Sequence, residues 1–236
     1  MRYFYVMGRG TSPYSNLALE RKLLTKAAGE DVILFLWQND NTIVLGKNQD
    51  AYRECRIEEF LKDGGTLARR LSGGGAVYHD LGNLNYSLIG EKGIMERHPG
   101  HELIMAALRK NGLEAEFNGR NDLLVKGRKV SGSAFYVSGN TQCLHGTLLV
   151  HTDIGKMEHY LTPDREKLLR NSVGSVGTRV ANLTDFSEII TVGKLCETLV
   201  EMTDAYPLQA GQLPVLAKEE VQKFSAKEWI YGGKFL

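Results

Sequence analysis

The feature that most constrains this chain is a run of three consecutive glycines at positions 73–75, between two segments of strand-like sequence. An apolar run ending in two arginines enters the glycines, and an alternating run leaves them. A glycine weakens a strand or helix by about 0.5–1 kcal/mol relative to alanine, so such a run is typical of backbone that approaches a ligand or adopts positive φ. We predict that residues 66–89 form a strand, a loop of bare backbone, and a hairpin that turns at residues 80–83.

The glycine run has two interpretations from its own sequence. Backbone amides without side chains, next to Arg69, Arg70 and Ser72, would suit a bound anion. The alternative is a flexible hairpin connection. The glycines lack the strand-to-helix setting of a dinucleotide-binding fingerprint, and no Gly-Lys-Ser/Thr sequence follows them, so neither a Rossmann nor a Walker loop is supported.

Composition places the chain among ordinary globular proteins. Its 236 residues are 42% hydrophobic and 24% charged, enough for one main domain. A formal net charge of +1 gives no field that would favour nucleic acid or an anionic membrane. Cys55, Cys143 and Cys196 are far apart and lack metal-site spacing, which indicates a reducing compartment. Without an amino-terminal signal or a membrane-length apolar run, we expect a soluble, cytoplasmic protein that binds neither nucleic acid nor membrane.

Periodicity and turn signals predict clustered short strands with helices between them. The predicted strands are 2–7, a hairpin of 32–37 with 42–45, and a hairpin system over 114–151. The predicted helices are 13–29, 48–62, 101–110, 153–161, 163–169, 191–203 and 218–229, with a Gly/Ser loop at 172–178. This order favours a mixed α/β (α+β) domain, with a mixed sheet flanked by helices, over a regular parallel doubly wound sheet.

Polar residues that could take part in binding or catalysis lie in the predicted strands beyond residue 128. Strict alternation of side chains would put Lys129, Ser131 and Ser133 on one face, with Val130, Gly132 and Ala134 on the other. On the returning strand the same rule puts Cys143, His145 and Thr147 together, opposite Leu144, Gly146 and Leu148. We therefore expect two polar rows that meet across a hairpin.

Lys129 is the residue of this group with the clearest chemical use. A lysine beside glycine amides, arginines and hydroxyls suits a phosphate, or a carboxylate that is being activated to a mixed anhydride. A desolvated lysine would instead be a Schiff-base nucleophile, and a solvated one would be an ordinary surface charge.

Four segments in order resemble the motifs of lipoate–protein ligases. They are RRLSGGGAVYHDLGNLN at 69–85, GRNDL at 119–123, RKVSGSA at 128–134 and HGTLL at 145–149. Residues 176–183 and 229–235 also resemble parts of that family's catalytic domain, so the similarity covers nearly the whole chain. This resemblance favours the anion-binding interpretation of the glycine run.

The resemblance implies a single catalytic domain over residues 1–236, with a fold shared with biotin ligases and, distantly, with class II aminoacyl-tRNA synthetases. It also implies a two-step reaction. Lipoate or octanoate reacts with ATP to give an acyl adenylate such as lipoyl-AMP, and the acyl group then passes to a lysine of an acceptor. The implied acceptors are the apo lipoyl domains of 2-oxoacid dehydrogenases and the glycine-cleavage H protein. Mg²⁺ is expected on the phosphates, because it offsets charge on the leaving pyrophosphate.

The resemblance also assigns roles to residues. Lys129 would be catalytic, contacting the acyl carbonyl and the adenylate phosphate, while Asp122 would be a candidate magnesium ligand. His145 would belong to the acyl pocket, and Gly146 would leave space for the acyl chain. The implied substrate-binding residues are Arg70, Ser72, Gly73, Gly74, Gly75, Val77, His79, Asn83, Asn121, Asp122, Ser131, Gly132, Ser133, Ala134, His145, Gly146 and Thr147.

Structural roles compete with several of these assignments. His79 and His145 lie in predicted strands, where a hydrogen-bonded structural histidine is common. Asp80 and Asn83 would suit the turn alone, and Asp122 would suit an ion pair with an arginine.

The chain ends where single-chain ligases of this family continue into a small accessory domain. We expect a separate accessory chain to supply that domain, or the sequence to be cut, in preference to a protein that performs only the transfer step. The corresponding hypothesis is that the isolated chain activates lipoate poorly.

Two other functions compete with the ligase. One is an ATP-independent octanoyl or lipoyl transferase, which needs an accessible cysteine nucleophile. Residues 118–122, where such transferases place it, contain no cysteine, and Cys143 lies two residues before His145 without matching a transferase motif. The other is a non-catalytic acyl-binding module, although a scaffold needs neither Lys129 nor three adjacent glycines. A biotin ligase shares the expected fold, but the motifs fit the lipoate branch better.

Overall fold

The computed structural model describes residues 1–98, 100–162, 180–209 and 211–232, and these form two β-sheets flanked by helices. The large sheet has eight strands in the order β11-β1-β2-β6-β10-β9-β8-β7, and the small sheet has three in the order β4-β3-β5. The strands are β1 Arg2–Met7, β2 Asp31–Trp37, β3 Thr42–Leu45, β4 Thr66–Arg69, β5 Val77–His79, β6 Asn83–Glu91, β7 Glu116–Phe117, β8 Asp122–Val125, β9 Arg128–Ser138, β10 Thr141–Leu149 and β11 Tyr206–Pro207.

Nine α-helices and one 3₁₀ turn lie in the part of the chain that the structure describes. The helices are α1 Pro13–Leu23, α2 Ala51–Glu54, α3 Ile57–Lys62, α4 Lys92–Arg97, α5 Gly100–Lys110, α6 Ile154–Tyr160, α7 Val192–Thr203, α8 Lys218–Ser225 and α9 Lys227–Ile230; the 3₁₀ turn is Leu183–Asp185. Among these residues, no helix combines the length and apolar character needed to cross a membrane.

The large sheet is mixed. Strand β1 runs parallel to both β2 and β11, whereas β2, β6, β10, β9, β8 and β7 pair antiparallel in succession. In the small sheet, β3 is parallel to β4 and antiparallel to β5. The prediction of a mixed α/β fold with a mixed sheet is confirmed.

Strand β2 is central because its apolar residues are buried on both faces. Val32, Leu34 and Leu36 join a core that also contains apolar side chains of α5 and α7. The alternate residues of β2 join a second core with side chains of α1, α8 and α9. The predicted role of the helix at 101–110, to cover a sheet face, is therefore confirmed.

The predicted hairpin of residues 32–37 with 42–45 is wrong, because its two strands lie in different sheets. Strand β2 is already paired on both edges, with β1 and β6, so β3 pairs with β4 and β5 instead.

The predicted hairpin around residues 80–83 is wrong for a similar reason. Strand β5 belongs to the small sheet and β6 to the large one. The backbone amides of Val150 and His151 both donate to the Gly82 oxygen at 3.0 Å, which fixes this turn against the end of β10. The turn thus carries the chain from one sheet to the other.

The remaining predicted elements are confirmed with shifted ends, except where a helix is divided. The helix predicted at 48–62 is two helices, since Cys55 leaves the helix to bridge Leu161. The helix predicted at 218–229 is interrupted at Ala226, whose backbone is extended. The predicted helix at 163–169 and loop at 172–178 lie outside the described residues.

Candidate active site

A pocket of about 140 Å³ lies where the small sheet and the glycine loop meet one face of the large sheet. Its lining residues are Leu17, Trp37, Val44, Arg70, Gly74, Gly75, Ala76, Val77, His79, Asn85, Asn121, Lys129, Gly132, Ser133, Ala134, His145, Gly146 and Thr147. Most of the residues predicted for the site are thereby brought to one place, although they come from strands far apart in sequence.

Lys129 reaches the pocket through a β-bulge that strict alternation of side chains does not foresee. Leu124 pairs with Lys129 while Leu123 pairs with Ser131, so Val130 is an extra residue on β9. At the bulge, Lys129 also pairs with a second segment of the chain: the Ala181 amide donates to the Lys129 oxygen at 2.9 Å.

The bulge corrects the predicted rows of side chains. A Cβ atom built on Gly132 would lie 3.0 Å from the Lys129 Nζ, so these two residues share a face. Across the hairpin, Gly132 pairs with Thr147 and Ala134 pairs with His145. The lysine therefore lies on the same face of the sheet as His145 and Thr147. The side chains of its predicted companions, Ser131 and Ser133, lie on the opposite face.

Lys129 forms an ion pair with Asp122, and its Nζ is 2.7 Å from the Asp122 Oδ1. The side chain of the lysine is 28% exposed and that of the aspartate 5%. Lys129 is an ion-paired ammonium at the pocket rim, which is unlike the desolvated amine that a Schiff-base nucleophile needs.

Arg70 holds the glycine loop from inside. Its Nη2 donates to the oxygens of Gly73 at 2.7 Å and Gly75 at 2.8 Å, and its Nε donates to the Ser72 Oγ at 3.0 Å. Burial lowers the pKa of the guanidinium to about 10, and the Glu20 carboxylate opposes this effect. Arg70 thus shapes the loop through its own hydrogen bonds.

The glycine loop presents open backbone to the pocket. Gly74 has φ +91°, which favours glycine, and a Cβ on Gly73 or Gly75 would meet nothing within 4 Å among the described residues. The flexible-connection interpretation does not fit a loop with this many fixed contacts.

A buried chain of hydrogen bonds joins His145 to the loop. The His145 Nδ1 is 2.8 Å from the Glu20 Oε1, and the His145 Nε2 is 2.7 Å from the Ser72 Oγ. Because a carboxylate only accepts, Nδ1 carries a proton, and Ser72 can accept from Arg70 while it donates to His145. Burial alone would raise the pKa of Glu20, but His145 and Ser87 hold it below its usual value.

This order of serine, histidine and carboxylate resembles a hydrolase triad. Ser72, however, is 1% exposed and does not line the pocket. Its hydroxyl lacks the access that a nucleophile requires, so the arrangement is a support for the pocket wall.

The loop before β8 is also held in place. The Asn118 Oδ1 accepts from the amides of Arg120, Asn121 and Asp122 at 3.0, 3.2 and 3.1 Å. The Asn121 oxygen in turn accepts from the Ser133 amide at 2.8 Å. Asn121 and Asp122 therefore lie at the Lys129 end of the pocket.

Five predicted site residues do not line the pocket, namely Ser72, Gly73, Asn83, Asp122 and Ser131. Ser72 and Asp122 contact lining residues, and the Asn83 Nδ2 donates to the Asn85 Oδ1 at 3.1 Å. Ser131 is buried on the opposite face of the sheet, where it pairs with Leu148.

The predicted role of Gly146 needs correction. A Cβ atom at this position would collide with the ring and hydroxyl of Tyr86, which belongs to the core on the other face of the sheet. The space that Gly146 leaves is therefore filled by Tyr86 and is not available to an acyl chain.

Residues missed from the sequence include Leu17, Trp37, Val44, Ala76 and Asn85, which all line the pocket. Asn85 is two residues beyond Asn83 in the same strand, so alternation offered a signal for it. No sequence pattern indicated Glu20, since the residue that it contacts, His145, is 125 positions away in the chain.

Cys143 cannot serve as an accessible nucleophile. It is fully buried, and burial, followed by the Glu20 carboxylate, raises the pKa of its thiol well above the usual value. Glu20, Cys143 and His145 form a group with metal-ligand atoms close together, but all three are buried. The transferase alternative lacks its central residue.

Comparison with known proteins identifies relatives of this chain. The family model for the lipoyl protein ligase A/B catalytic domain matches residues 12–203. A probable lipoate-protein ligase A from Mycoplasma pneumoniae is 35% identical over 98% of this chain and 72% of its own length. A lipoate-protein ligase A from Psychrobacter cryohalolentis is 40% identical over 83% of this chain, a region that spans 58% of that relative.

Solved structures with the same fold include three ligases. LipL1 of P. falciparum in complex with lipoate has a TM-score of 0.82 and 28% identity, covering 98% of this chain and 74% of that one. A bi-partite lipoate protein ligase from Thermoplasma acidophilum, described with its E2 lipoyl domain, has a TM-score of 0.79 and 27% identity, covering 99% and 96%. A lipoate-protein ligase A bound with ATP has a TM-score of 0.78 and 25% identity, covering 99% of both chains.

Proposed function

Because this chain belongs to the lipoyl protein ligase A/B catalytic-domain family, we propose that it activates lipoate with ATP and transfers the lipoyl group to a lysine of an acceptor protein. The protein is a ligase, as are the relatives and structures that it matches. The observation that supports this function best is Lys129, which is ion-paired with Asp122 and lines one pocket with the bare backbone of Gly74 and Gly75.

The apolar wall of the pocket suits the acyl chain. Leu17, Trp37 and Val44 line it on the side of α1, β2 and β3. Each methylene buried there would contribute about 0.8 kcal/mol, so several carbons would dominate the affinity for the acid.

The Lys129 end of the pocket suits the reacting groups. In the first step, a carboxylate oxygen of the acid bonds to the α-phosphorus of ATP, and the bond from that phosphorus to pyrophosphate breaks. Negative charge accumulates on the phosphate oxygens, where the Lys129 ammonium and the glycine amides stabilise it.

In the second step, a neutral lysine amine of the acceptor bonds to the acyl carbonyl carbon. The bond from that carbon to the AMP oxygen breaks, AMP leaves as an anion, and the amine nitrogen gives up a proton to water. Lys129 stabilises the charge on the carbonyl oxygen and on the leaving phosphate, so the same ammonium serves both steps.

Magnesium fits this site only with help from the substrate. Asp122 is the carboxylate at the Lys129 end, and one carboxylate with substrate phosphates is a usual way to bind Mg²⁺. The ion would offset charge on the departing pyrophosphate, with Asp122 as its protein ligand.

The acceptor is a lipoyl domain, of a 2-oxoacid dehydrogenase or of the glycine-cleavage H protein. The Thermoplasma acidophilum ligase, described together with its E2 lipoyl domain, supports this proposal. A cytoplasmic location agrees with the ATP requirement and with three buried, unpaired cysteines.

Mass spectrometry of an apo lipoyl domain tests the function. The protein is incubated with a candidate accessory chain, the acceptor, lipoate, ATP and Mg²⁺, and we expect the acceptor mass to increase by one lipoyl group only when ATP is present. Lys129→Ala should lower the rate by about 100-fold or more, because it removes the charge that stabilises both transition states. Lys126→Ala is the matched control. Transfer without ATP, or full activity of K129A, contradicts the proposal.

We also propose that adenylation depends on an accessory chain. The bi-partite ligase of Thermoplasma acidophilum supports this arrangement, since this chain matches almost all of the compared ligase chain. Exchange of pyrophosphate with ATP should be slow with the isolated chain and should increase when a candidate accessory chain is added. Rapid exchange by the isolated chain contradicts this part of the proposal and leaves the ligase function intact.

A further inference from the structure

His79 has a buried ring nitrogen without a hydrogen-bond partner in the described part of the chain. The residue is 3% exposed, lies on β5 and lines the pocket. Its Nδ1 is 3.1 Å from the Asn39 Nδ2, whereas its Nε2 has no partner among the described residues. A buried polar atom without a partner in a pocket indicates a contact that a ligand completes.

Asn16 and Asn39 determine which nitrogen of His79 carries the proton. The Asn16 Nδ2 donates to the oxygens of Gly10 at 3.2 Å and Gln38 at 2.9 Å, and these carbonyls can only accept. The same nitrogen is 3.0 Å from the Asn39 Oδ1, so that oxygen accepts and the Asn39 Nδ2 faces His79 as a donor. His79 must accept through Nδ1, which places its proton on Nε2.

The ring is neutral as well as fixed. Burial, with smaller contributions from Arg70 and His145, lowers the pKa of His79 to about 3. At neutral pH the residue is therefore a neutral donor in the pocket and not a general base.

His79 lies beside the apolar wall. Its ring is edge-on to Trp37, with 6.3 Å between the ring centroids. Two charged residues line the pocket among the described residues. The Arg70 guanidinium is committed to hydrogen bonds with the glycine loop, and Lys129 lies on β9 of the large sheet, whereas His79 is on the small sheet. The donor is thus placed toward the acyl chain.

We propose that His79, oriented by the Asn16–Asn39 pair, is a specificity-determining residue that favours an acyl chain bearing a hydrogen-bond acceptor, such as the dithiolane sulfur of lipoate, over a plain hydrocarbon chain. This proposal rests on the proposed function. A hydrocarbon chain would leave the Nε2 proton buried without a partner, which is costly, whereas a sulfur atom accepts weakly. The pocket should accordingly prefer lipoate to octanoate.

The test compares kcat/KM for lipoate and for octanoate in the ATP-dependent reaction, with the accessory chain present. His79→Leu removes the donor, and we expect the ratio of lipoate to octanoate to fall on the order of tenfold. His79→Gln retains a neutral amide donor and should retain most of the preference. His159→Leu is the matched control, because His159 is half exposed on α6 and bonds to Glu59.

Two results would overturn the proposal. In one, the ratio stays within about twofold of the wild-type value in H79L, although the variant is folded. In the other, H79L loses activity equally with both acids, which would mean that the donor faces the carboxylate.

A second measurement does not depend on catalysis. Nitrogen-15 NMR of the histidine rings should show His79 as the neutral tautomer with the proton on Nε2 at pH 7, and adding lipoate should shift the Nε2 proton more than adding octanoate. An imidazolium, a proton on Nδ1, or equal shifts with both acids would contradict the proposal. If the wild-type protein consumes neither acid but shows these shifts, the proposed function fails and the specificity assignment stands.

Discussion

Glu20 lies outside every sequence motif, yet its carboxylate connects two walls of the pocket. Its Oε1 accepts from the Ser87 Oγ at 2.6 Å and is 2.8 Å from the His145 Nδ1. The Ser87 Oγ also accepts from the indole nitrogen of Trp37 at 3.0 Å. One buried acid therefore positions an apolar wall residue and, through His145, the serine that contacts the glycine loop.

Glu20→Gln should weaken this network, because the variant removes the negative charge that faces His145 and turns one oxygen into a donor. We expect the free energy of unfolding to fall by about 1–3 kcal/mol and kcat/KM to fall with it. Denaturant unfolding and acceptor lipoylation measure the two effects. A double-mutant cycle of E20Q with His145→Gln should show a coupling of about 0.5–3 kcal/mol. The exposed Glu30→Gln is the control; additive effects in the cycle would contradict a shared network.

Cys143→Ala distinguishes a packing role from a nucleophilic one. The thiol is fully buried and its pKa is raised, so we expect native protein to react slowly with a thiol reagent. The variant should lose about 1 kcal/mol of stability and keep its lipoylation rate per folded molecule. Loss of that rate in folded protein would restore the transferase alternative.

At the scale of elements, the bulge at Val130 decides what the β9–β10 hairpin presents to the pocket. The extra residue turns Lys129 to the side of Gly132 and places Val130 in the opposite core. Alternation in the sequence could not predict this reversal. The bulge coincides with contacts of Lys129 and Arg128 to Val180, which is distant in sequence.

Gly146→Ala tests the packing between β10 and β6. A Cβ at residue 146 would collide with Tyr86, so we expect a loss of about 1–3 kcal/mol in the free energy of unfolding. A smaller side chain in Tyr86→Leu should recover part of that loss in the double variant. Gly10→Ala, at a site with open space and ordinary φ, serves as the control. If the glycine served the acyl chain instead, G146A would reduce activity without reducing stability.

At the scale of the whole molecule, His79 makes stability depend on pH. Its pKa is lowered from 6.5 to about 3 in the folded state, so between these values the unfolded chain binds more protons than the folded one. The free energy of unfolding must then fall as pH decreases from 6.5 toward 3, by up to about 1.4 kcal/mol per pH unit for this residue.

His79→Gln removes this contribution, and the difference between wild type and variant isolates it from other groups. His101 and Glu20, whose pKa values are also lowered, act in the same direction but remain in both proteins. Denaturant midpoints between pH 7 and pH 5 should fall more steeply for the wild type. Parallel slopes would mean that folding does not lower the pKa of His79.

The sequence predicts the mixed fold and most of the pocket, since motif order and local periodicity suffice for β9, β10, α5 and the glycine loop. The predictions are wrong where pairing between strands distant in sequence determines the sheet to which a strand belongs. Strands β2 and β3 looked like a hairpin locally, but β6 occupies the edge of β2 that β3 would need. Trp37 on β2 and Val44 on β3 both line the pocket because the chain passes from the large sheet to the small one between them. Asn39, in the segment that joins the two strands, orients His79.

The hydrogen bonds from Arg70 to the glycine loop would affect the nucleotide binding proposed for this loop. A free three-glycine segment would lose more conformational entropy on ordering than any other residue triplet, and a ligand that ordered it would bear that cost. Here Arg70 and Ser72 order the backbone when the chain folds. The loop is preorganised, so a nucleotide that binds there as proposed would not bear this ordering cost, and the affinity from each phosphate contact would be retained.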